Sequence, residues 1–326
     1  MSNTHSDKRI LITGGAGFIG SNLVDYLVVN NYKHITVLDN LETGNINNIK
    51  THIDSGKINF IQGSICDYET CLKATKNQDI ILHQAALGSV PRSIANPLAT
   101  HQTNVTGFVN ILEAAKQNKV KRVVYASSSS VYGDDLNMPK KEEIVGNPLS
   151  PYAVSKKANE LYAAVFASSY QMEIIGLRYF NVFGPKQNPA GPYAAVIPIF
   201  IDKLLKHQAP IIFGDGNNTR DFTYIENVIQ ANLLAAFTED KSAINQVYNI
   251  AYGATTSLNK LFELIANNLS SDLKVIHGDK RPGEIKDSFA SIEKAKNLLK
   301  YNPLVSLEEG IKKSIVWYTT ANNWQS

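Results

Sequence analysis

A tyrosine and a lysine four positions apart, Tyr152 and Lys156, offer the first recognisable chemistry in this chain. On a helix that spacing puts both on one face. An ammonium beside the phenol would lower the tyrosine pKa from about 10 toward neutrality, making Tyr152 a usable general base. The spacing alone is common on helix surfaces. Support comes from residues 127–130, four serines just before Val131-Tyr132-Gly133. They end an apolar run that reads as a fifth strand, and open α/β sheets place their ligands at strand C-termini. Ser128 lies 24 positions before Tyr152, and its hydroxyl is suited to share a substrate proton with the phenolate. Ser130 reads equally as a turn serine with a satisfied hydroxyl.

The second chemistry lies in ILITGGAGFIGSNL, where Gly14, Gly17 and Gly20 follow a strand and open a helix. Gly14 permits the tight turn, Gly17 admits a pyrophosphate to the backbone, and Gly20 allows close helix packing. An acidic residue, Asp39, ends the second strand, as a dinucleotide-binding fingerprint requires. Its carboxylate suits ribose hydroxyls and repels a ribose phosphate, which favours NAD over NADP.

Elements that must position these groups follow from the apolar pattern. Strand-like runs lie at 9–13, 34–39, 58–62, 79–83, 122–126 and 173–177, and helical patterns at 18–29, 67–75, 101–118 and 152–170. Strands alternating with helices predict a doubly wound parallel sheet covered on both faces. After Tyr179 the pattern changes to turn formers at 181–191, a helix near 194–207, a Gly/Asn-rich loop at 214–220 and a helix from about 225. A strand at 247–251 returns to the sheet. The expected organisation is an NAD-binding Rossmann domain of residues 1–180 plus about 222–252. A smaller, discontinuous substrate lobe would comprise 181–221 and 253–326.

With 326 residues, 44% hydrophobic and 19% charged, the chain has an ordinary globular composition. The net charge of +3 comes from scattered basic residues, so no nucleic-acid footprint is expected. Two cysteines, Cys66 and Cys71, match neither a disulfide framework nor a zinc pattern, and no metal is expected. No apolar run reaches membrane-spanning length, and the first residues lack a signal-peptide stretch. The expectation is a cytoplasmic enzyme.

Taken together, TGGAGFIG, the serine run before YG, YxxxK and RYFNVFGP resemble the extended short-chain dehydrogenase/reductases. The chain is similar to the UDP-hexose 4-epimerase family, and within it to the bacterial UDP-N-acetylglucosamine 4-epimerases of O-antigen and capsule pathways. The narrower resemblance lies in HQAALGSVPRS (83–93), LSPYAVSKKANELYA (149–163), GLRYFNVFGPKQNP (176–189), AAVIP (194–198), GDGNNTRDFTYIENVIQANLLA (214–235) and RPGE (281–284). It implies Tyr152 as base, Lys156 as its activator and Ser128 as the hydroxyl bonding the sugar O4. Cofactor contacts would come from Gly14, Gly17, Phe18, Ile19, Asp39, Asn40, Ile65, Gln84, Ala85, Ala86, Asn104, Tyr152, Lys156 and Tyr179. The UDP-sugar would meet Ser89, Arg92, Ser128, Ser129, Tyr152, Asn181, Val196, Arg220, Arg281 and Ser288. Arg220 and Arg281 suit a pyrophosphate because each offers a planar fork of charged donors. Ser288 falls at a wall position where some epimerases restricted to simple hexoses carry tyrosine. Relatives also form homodimers through a four-helix bundle, here from helices near 101–118 and 152–170.

One departure stands out. The family often has Asp at the position of Ser64, where it contacts the adenine; Asp67 would reach that place only by a shift. Three rival functions remain open to the sequence. A 4,6-dehydratase normally carries an acid/base carboxylate pair where Ser129-Ser130 stand. A net reductase would favour NADP, against Asp39. A non-catalytic NAD-binding protein has no need of Tyr152, Lys156 and Ser128 together. The sugar stays open among N-acetylated hexoses, plain hexoses and hexuronic acids.

Overall fold

The computed structural model describes residues 5–191, 193–279 and 287–320. Six strands come from the apolar runs: β1 (Arg9–Thr13), β2 (His34–Asp39), β3 (Asn59–Gln62), β4 (Ile80–His83), β5 (Arg122–Ser128) and β6 (Glu173–Tyr179). With the strand Val247–Ile250 they form one seven-stranded parallel sheet, in the order Val247–Ile250, β6, β5, β4, β1, β2, β3. The chain winds outward from β1 through β2 to β3, then crosses back to β4 and winds the other way. The crevice between β1 and β4 is therefore the topological switch point, where such sheets bind ligands.

Side-chain alternation along the strands feeds two apolar layers. Ile10 and Ile12 of β1 join one cluster, whereas Leu11 joins the other with Phe108, Val123 and Phe166. The glycine-rich turn opens helix Phe18–Val29, as the pattern predicts. The stretch expected as one helix at 101–118 is built in pieces: Pro97–His101, a π-helical turn Gln102–Thr106, then Gly107–Gln117. Strands β5 and β6 each run two residues beyond their apolar cores. Ladder pairing continues through Ser127↔Arg178 and Ser128↔Tyr179, so backbone hydrogen bonding carries polar residues that hydropathy leaves out. The helix near 194–207 is shorter than expected, Val196–Leu205. Helix Leu258–Asn268 falls in a stretch where the sequence reading placed no element.

Beyond the main sheet, three short strands form a second one, with Thr219–Arg220 between Thr256–Ser257 and Asp287–Ser288. Ile211–Phe213 pairs in parallel with Ile276–Gly278. These segments share a core with the main sheet: Phe200, Leu261 and Ile311 belong to the same apolar cluster as Ile10 and Leu177.

Beneath the strand C-termini lies a buried polar network. Arg178 of β6 donates in bidentate fashion to Glu160 of helix Pro151–Tyr170, at 2.8 and 2.9 Å. Ser127 of β5 donates to the same carboxylate at 2.7 Å. Arg178 also reaches the Tyr132 hydroxyl, which donates to Asn249 of the last strand at 2.6 Å. Both members of the ion pair are buried. Removing one leaves the other charge without its partner in a low-dielectric interior. Arg178→Ala is therefore expected to lower unfolding free energy by about 3–5 kcal/mol. The expected readout is a denaturant midpoint shifted down at unchanged slope; an unshifted midpoint would show that the network contributes nothing.

Candidate active site

A cleft of about 430 Å³ opens along the switch point. Its walls bring together groups from six strand ends. From the β1 turn come Gly14, Gly17, Phe18 and Ile19, and from the end of β2 come Asp39 and Asn40. Ser64 and Ile65 follow β3, and Gln84, Ala85 and Ala86 follow β4. Ser128, Tyr152, Lys156, Tyr179 and Asn181 complete the lining. Residues 167 positions apart in sequence, Gly14 and Asn181, thus converge because parallel strands share one C-terminal edge.

The glycine turn is held at backbone contact. Gly14 has φ +69°, and a Cβ there would stand 2.7 Å from the Ala85 backbone. A Cβ on Gly20 would lie 2.1 Å from the Gly14 carbonyl oxygen. The third glycine is thus required by the turn itself, not by helix packing on the sheet as the motif alone suggests. No side chain caps helix Phe18–Val29, and its first residues, Phe18, Ile19 and Gly20, line the cleft. Asp39 is fixed by two backbone donors, Ala16 N–H at 2.9 Å and Leu41 N–H at 2.8 Å. A bare helix N-terminus, a glycine cradle and an anchored carboxylate fit a dinucleotide: pyrophosphate at the helix, ribose at Asp39.

On the cleft floor, Tyr179, Gln84 and Asn232 close a ring of hydrogen bonds at 2.9–3.1 Å. Burial lifts the Tyr179 phenol to about 12, so it stays protonated. Ser64 takes up its position by accepting from the Cys66 N–H. Asp67 is committed elsewhere, accepting from the Glu69 N–H and capping helix Tyr68–Thr75. Asn104, expected at the cofactor, is fully buried behind the wall. Its side-chain oxygen accepts from the Leu87 N–H at 2.7 Å, and its amide donates to Leu87 O and the Ser155 hydroxyl.

The catalytic candidates meet at one end. Ser128 and Tyr152 both line this end of the cleft. Burial holds the Tyr152 phenol above its ordinary value, with the Ser128 hydroxyl opposing. The lowered phenol expected from Lys156 does not appear in the protein alone. The lysine ammonium donates to the Ala126 carbonyl at 2.8 Å and lies 5.9 Å from the Tyr152 ring centre. Burial pulls Lys156 down to about 8, with Glu160 one turn away opposing. Burial, and then the Lys156 charge, push His83 down to about 3, so it is neutral; its Nδ1 lies 2.8 Å from the Thr13 hydroxyl.

Of the remaining substrate candidates Asn181 lines the cleft, whereas Ser89, Arg92, Ser129, Val196, Arg220 and Ser288 are not among its lining residues. Asn181, in the left-handed region at φ 34°, donates to the Asp221 carbonyl at 3.0 Å. Ser89 caps helix Val90–Ala95, and Arg92 of that helix stacks over Tyr193 at 5.4 Å. Val196 opens helix Val196–Leu205. Ser129 starts a 3-10 turn after β5. Ser288 and Arg220 are register partners on neighbouring short strands. Arg281 lies outside the described residues. Sequence reasoning assigned nothing to Glu160, Arg178 or Asn232. Glu160 carried a signal, since it extends the Tyr152–Lys156 face by one more turn; its partner on β6 is non-local and carried none.

Residues 10–251 match the NAD dependent epimerase/dehydratase family. The chain belongs to that family and is NAD-dependent, with the extended short-chain dehydrogenase/reductase fold. Among solved structures it is similar to a UDP-N-acetylglucosamine 4-epimerase from Methanobrevibacter ruminantium M1, determined with UDP-N-acetylmuramic acid. Identity is 40%, the TM-score is 0.90, and 96% of this chain and 98% of that one are covered. A UDP-glucose 4-epimerase from Thermotoga maritima with UDP-glucose is 36% identical, with TM-score 0.89, covering 95% and 98%. A UDP-glucuronic acid 4-epimerase from Bacillus cereus with UDP-glucuronic acid and NAD is 31% identical, with TM-score 0.88, covering 95% and 99%.

The cradle geometry makes a direct demand on cofactor retention. Gly20→Ala forces its new methyl into the Gly14 carbonyl and opens the turn. Purified Gly20→Ala protein is expected to release at least about tenfold less NAD on denaturation than the wild type, a loss of about 1.4 kcal/mol in binding. Equal NAD content would show that the turn has room to yield.

Proposed function

We propose that this chain is a UDP-sugar 4-epimerase acting on UDP-N-acetylglucosamine and UDP-N-acetylgalactosamine. The observation that carries the reaction type is the convergence of Ser128, Tyr152 and Lys156 on one end of the cleft, with Ser129 and Ser130 where elimination chemistry would need carboxylates. Tyr152 takes the proton from the sugar O4 and later returns one, and Ser128 holds that oxygen in line. NAD, held at the glycine turn and Asp39, supplies a reversible hydride acceptor and a cationic ring that favours the phenolate. Arg220 and Arg281 grip the pyrophosphate while the 4-keto sugar turns over, so hydride returns to its opposite face. Since the cofactor ends as it began, no net redox occurs, and tight retention suits the chemistry better than exchange.

The N-acetyl preference rests on Ser288. An acetamido group is bulkier than a hydroxyl and must fit in both orientations of the turning sugar. Serine beside Arg220 keeps that wall low. The main sheet with about 222–252 serves as the NAD domain, and 181–221 with 253–326 as the sugar lobe.

The same proposal includes a homodimer. Val154, Leu161 and Val165 line up along one face of helix Pro151–Tyr170 at 54–59% exposure, close to the exposed Ile94 and Leu98. A stripe of that size on a helix facing solvent suits a second copy. Leu161→Glu is expected to yield monomers in sedimentation velocity, and a dimer of unchanged mass would remove this face from the interface. The setting we assign is the cytoplasm: the two cysteines are free thiols, and no helix among the described residues is long and apolar enough to cross a membrane.

The substrate test is direct. UDP-GlcNAc, UDP-Glc and UDP-GlcNAcA are incubated separately and products resolved by anion-exchange chromatography. Turnover of UDP-GlcNAc ahead of the others is expected, and Ser288→Tyr should abolish it while sparing UDP-Glc, because overpacking excludes only the larger group. Wild-type preference for UDP-Glc or the uronic acid would replace the N-acetyl assignment.

A further inference from the structure

Lys186 has no part in the proposed reaction, yet its geometry is unusual. It follows Asn181 and Val182, which line the cleft. It lies on the segment that leaves the short strand Val182–Phe183 and leads to helix Val196–Leu205. Its backbone is left-handed, at φ +67°. That conformation is strained for a residue with a Cβ and persists only where the surroundings hold it. Here the side chain does the holding. The ammonium donates to Asp25 Oδ2 at 2.5 Å and to the Asn48 carbonyl at 2.9 Å, on a side chain only 14% exposed.

Both acceptors belong to the dinucleotide half of the protein. Asp25 sits on helix Phe18–Val29, and its other oxygen lies 2.8 Å from His52 Nε2. Asn22, one turn earlier on the same face, donates to the Pro185 carbonyl at 3.0 Å, one position before the lysine. Asn48 is itself tied to the glycine turn, its side-chain amide donating to the Ala16 carbonyl at 2.9 Å. The joint is asymmetric. The turn has fastenings of its own: Gly14 N–H to the Leu38 carbonyl, Ala16 N–H to Asp39, and Asn45 N–H to the Ala16 carbonyl. All of these survive loss of the lysine. The segment has the Asn22 bond and the Tyr318 hydroxyl donating to the Gln187 carbonyl, but neither acts on the backbone angle of Lys186. Without its ammonium that residue is free to relax, and the turn at 186 opens.

We propose that Lys186 is a positioning residue for the sugar nucleotide: its ammonium pins the segment after Val182–Phe183 to the dinucleotide half and so sets the place of what that segment carries. Downstream lie Tyr193, over which Arg92 stacks, and Val196, which opens the next helix. The binding part of the inference rests on the reading of the cleft as a UDP-sugar site. The pinning itself rests on the fold alone. A loosened segment weakens nucleotide binding and leaves the glycine turn intact, so loss of the lysine separates the two ligands.

The holoenzyme is compared with three variants. Lys186→Met keeps the side-chain length and loses the charge, Lys186→Arg keeps the charge, and Asp25→Asn weakens the acceptor without touching the segment. Amide hydrogen exchange of peptides covering 186–191 is read by mass spectrometry. It is expected to quicken about five- to tenfold in Lys186→Met, the worth of a charged hydrogen bond with some solvent access. Asp25→Asn should quicken it in the same direction, and Lys186→Arg should keep the wild-type rate. Peptides covering 10–20 and the NAD content should stay at wild-type level throughout. In calorimetry the Kd for UDP alone should rise by about the same five- to tenfold factor in Lys186→Met and return in Lys186→Arg. KM for the UDP-sugar turned over should follow it, with kcat within about twofold of the wild type. Unchanged exchange in both Lys186→Met and Asp25→Asn overturns the pinning. Quickened exchange with unchanged UDP affinity overturns the role in placing the nucleotide. Loss of NAD, or a fall in kcat alongside the rise in KM, would mark a general structural defect and overturn the proposal as well. Wild-type protein that binds no UDP would count against the proposed function, and the exchange rates would still decide whether Lys186 pins the segment.

Discussion

The bidentate pair between Arg178 and Glu160 is the constraint on which the rest of the site depends. It is the point where helix Pro151–Tyr170 is fastened to the sheet by charge as well as by apolar packing. Glu160 lies two turns beyond Tyr152 and one beyond Lys156, so fixing its carboxylate fixes the rotation of the helix about its axis. Ser127 donates to the same carboxylate, which ties the register of β5 to that rotation. Ser128 and Tyr152 then meet as a consequence of two anchored elements. Through Tyr132 and Asn249 the network continues into the last strand, and Asn249 also donates to the carbonyls of Lys140 and Ser291. The segment leading into Ser288 and Arg220 is therefore coupled to the catalytic helix. Such a buried pair is weak evidence for added stability, since desolvation offsets much of the Coulombic gain. Its value here is geometric: it excludes slightly rotated helices in which the phenol would miss the serine.

Burial governs the electrostatics of the cleft end. Tyr152 is held above its ordinary value, Lys156 is brought down to about 8 and His83 to about 3. All three shifts favour neutral forms, as expected where low dielectric outweighs local pairing. A phenolate in such surroundings depends on donors aimed at its oxygen, and every hydrogen bond there counts for more than in water. The YxxxK spacing brings Tyr152 and Lys156 into one cleft, but the lowered phenol it predicts is absent in the protein alone. Spacing places the lysine on the correct face but says nothing about the Ala126 carbonyl that takes its proton donors.

The central sheet was legible because its inner strands are buried on both faces and read as apolar runs, with the edge strand β3 partly exposed; β1 and β2 end where hydropathy ends them. Strands β5 and β6 overran their apolar cores because ladder pairing does not depend on side-chain polarity. The glycine turn, Asp39 and the Tyr152 helix were legible because local geometry forces particular residue types at fixed spacings. The Arg178–Glu160 pair was not: 18 residues separate its members, and buried ions look like surface ions in a sequence. The resemblance expects Asn104 at the cofactor; in the structure its side chain bonds Leu87 and Ser155. The small sheet around Arg220 was illegible for a simpler reason. Two-residue strands have no periodicity to read.

Asp39 has an implication for cofactor choice. Both of its oxygens are already engaged by N–H groups, one of them from Ala16 within the glycine turn itself. In the proposed cofactor placement, discrimination between the two dinucleotides is wired into the same loop that would seat the phosphates. Removing the negative charge to welcome a ribose phosphate would also strip acceptors from two backbone donors and loosen the cradle. A conversion of cofactor preference would have to rebuild the turn as well as the charge. In that placement, selectivity would be a property of the backbone path as much as of one side chain.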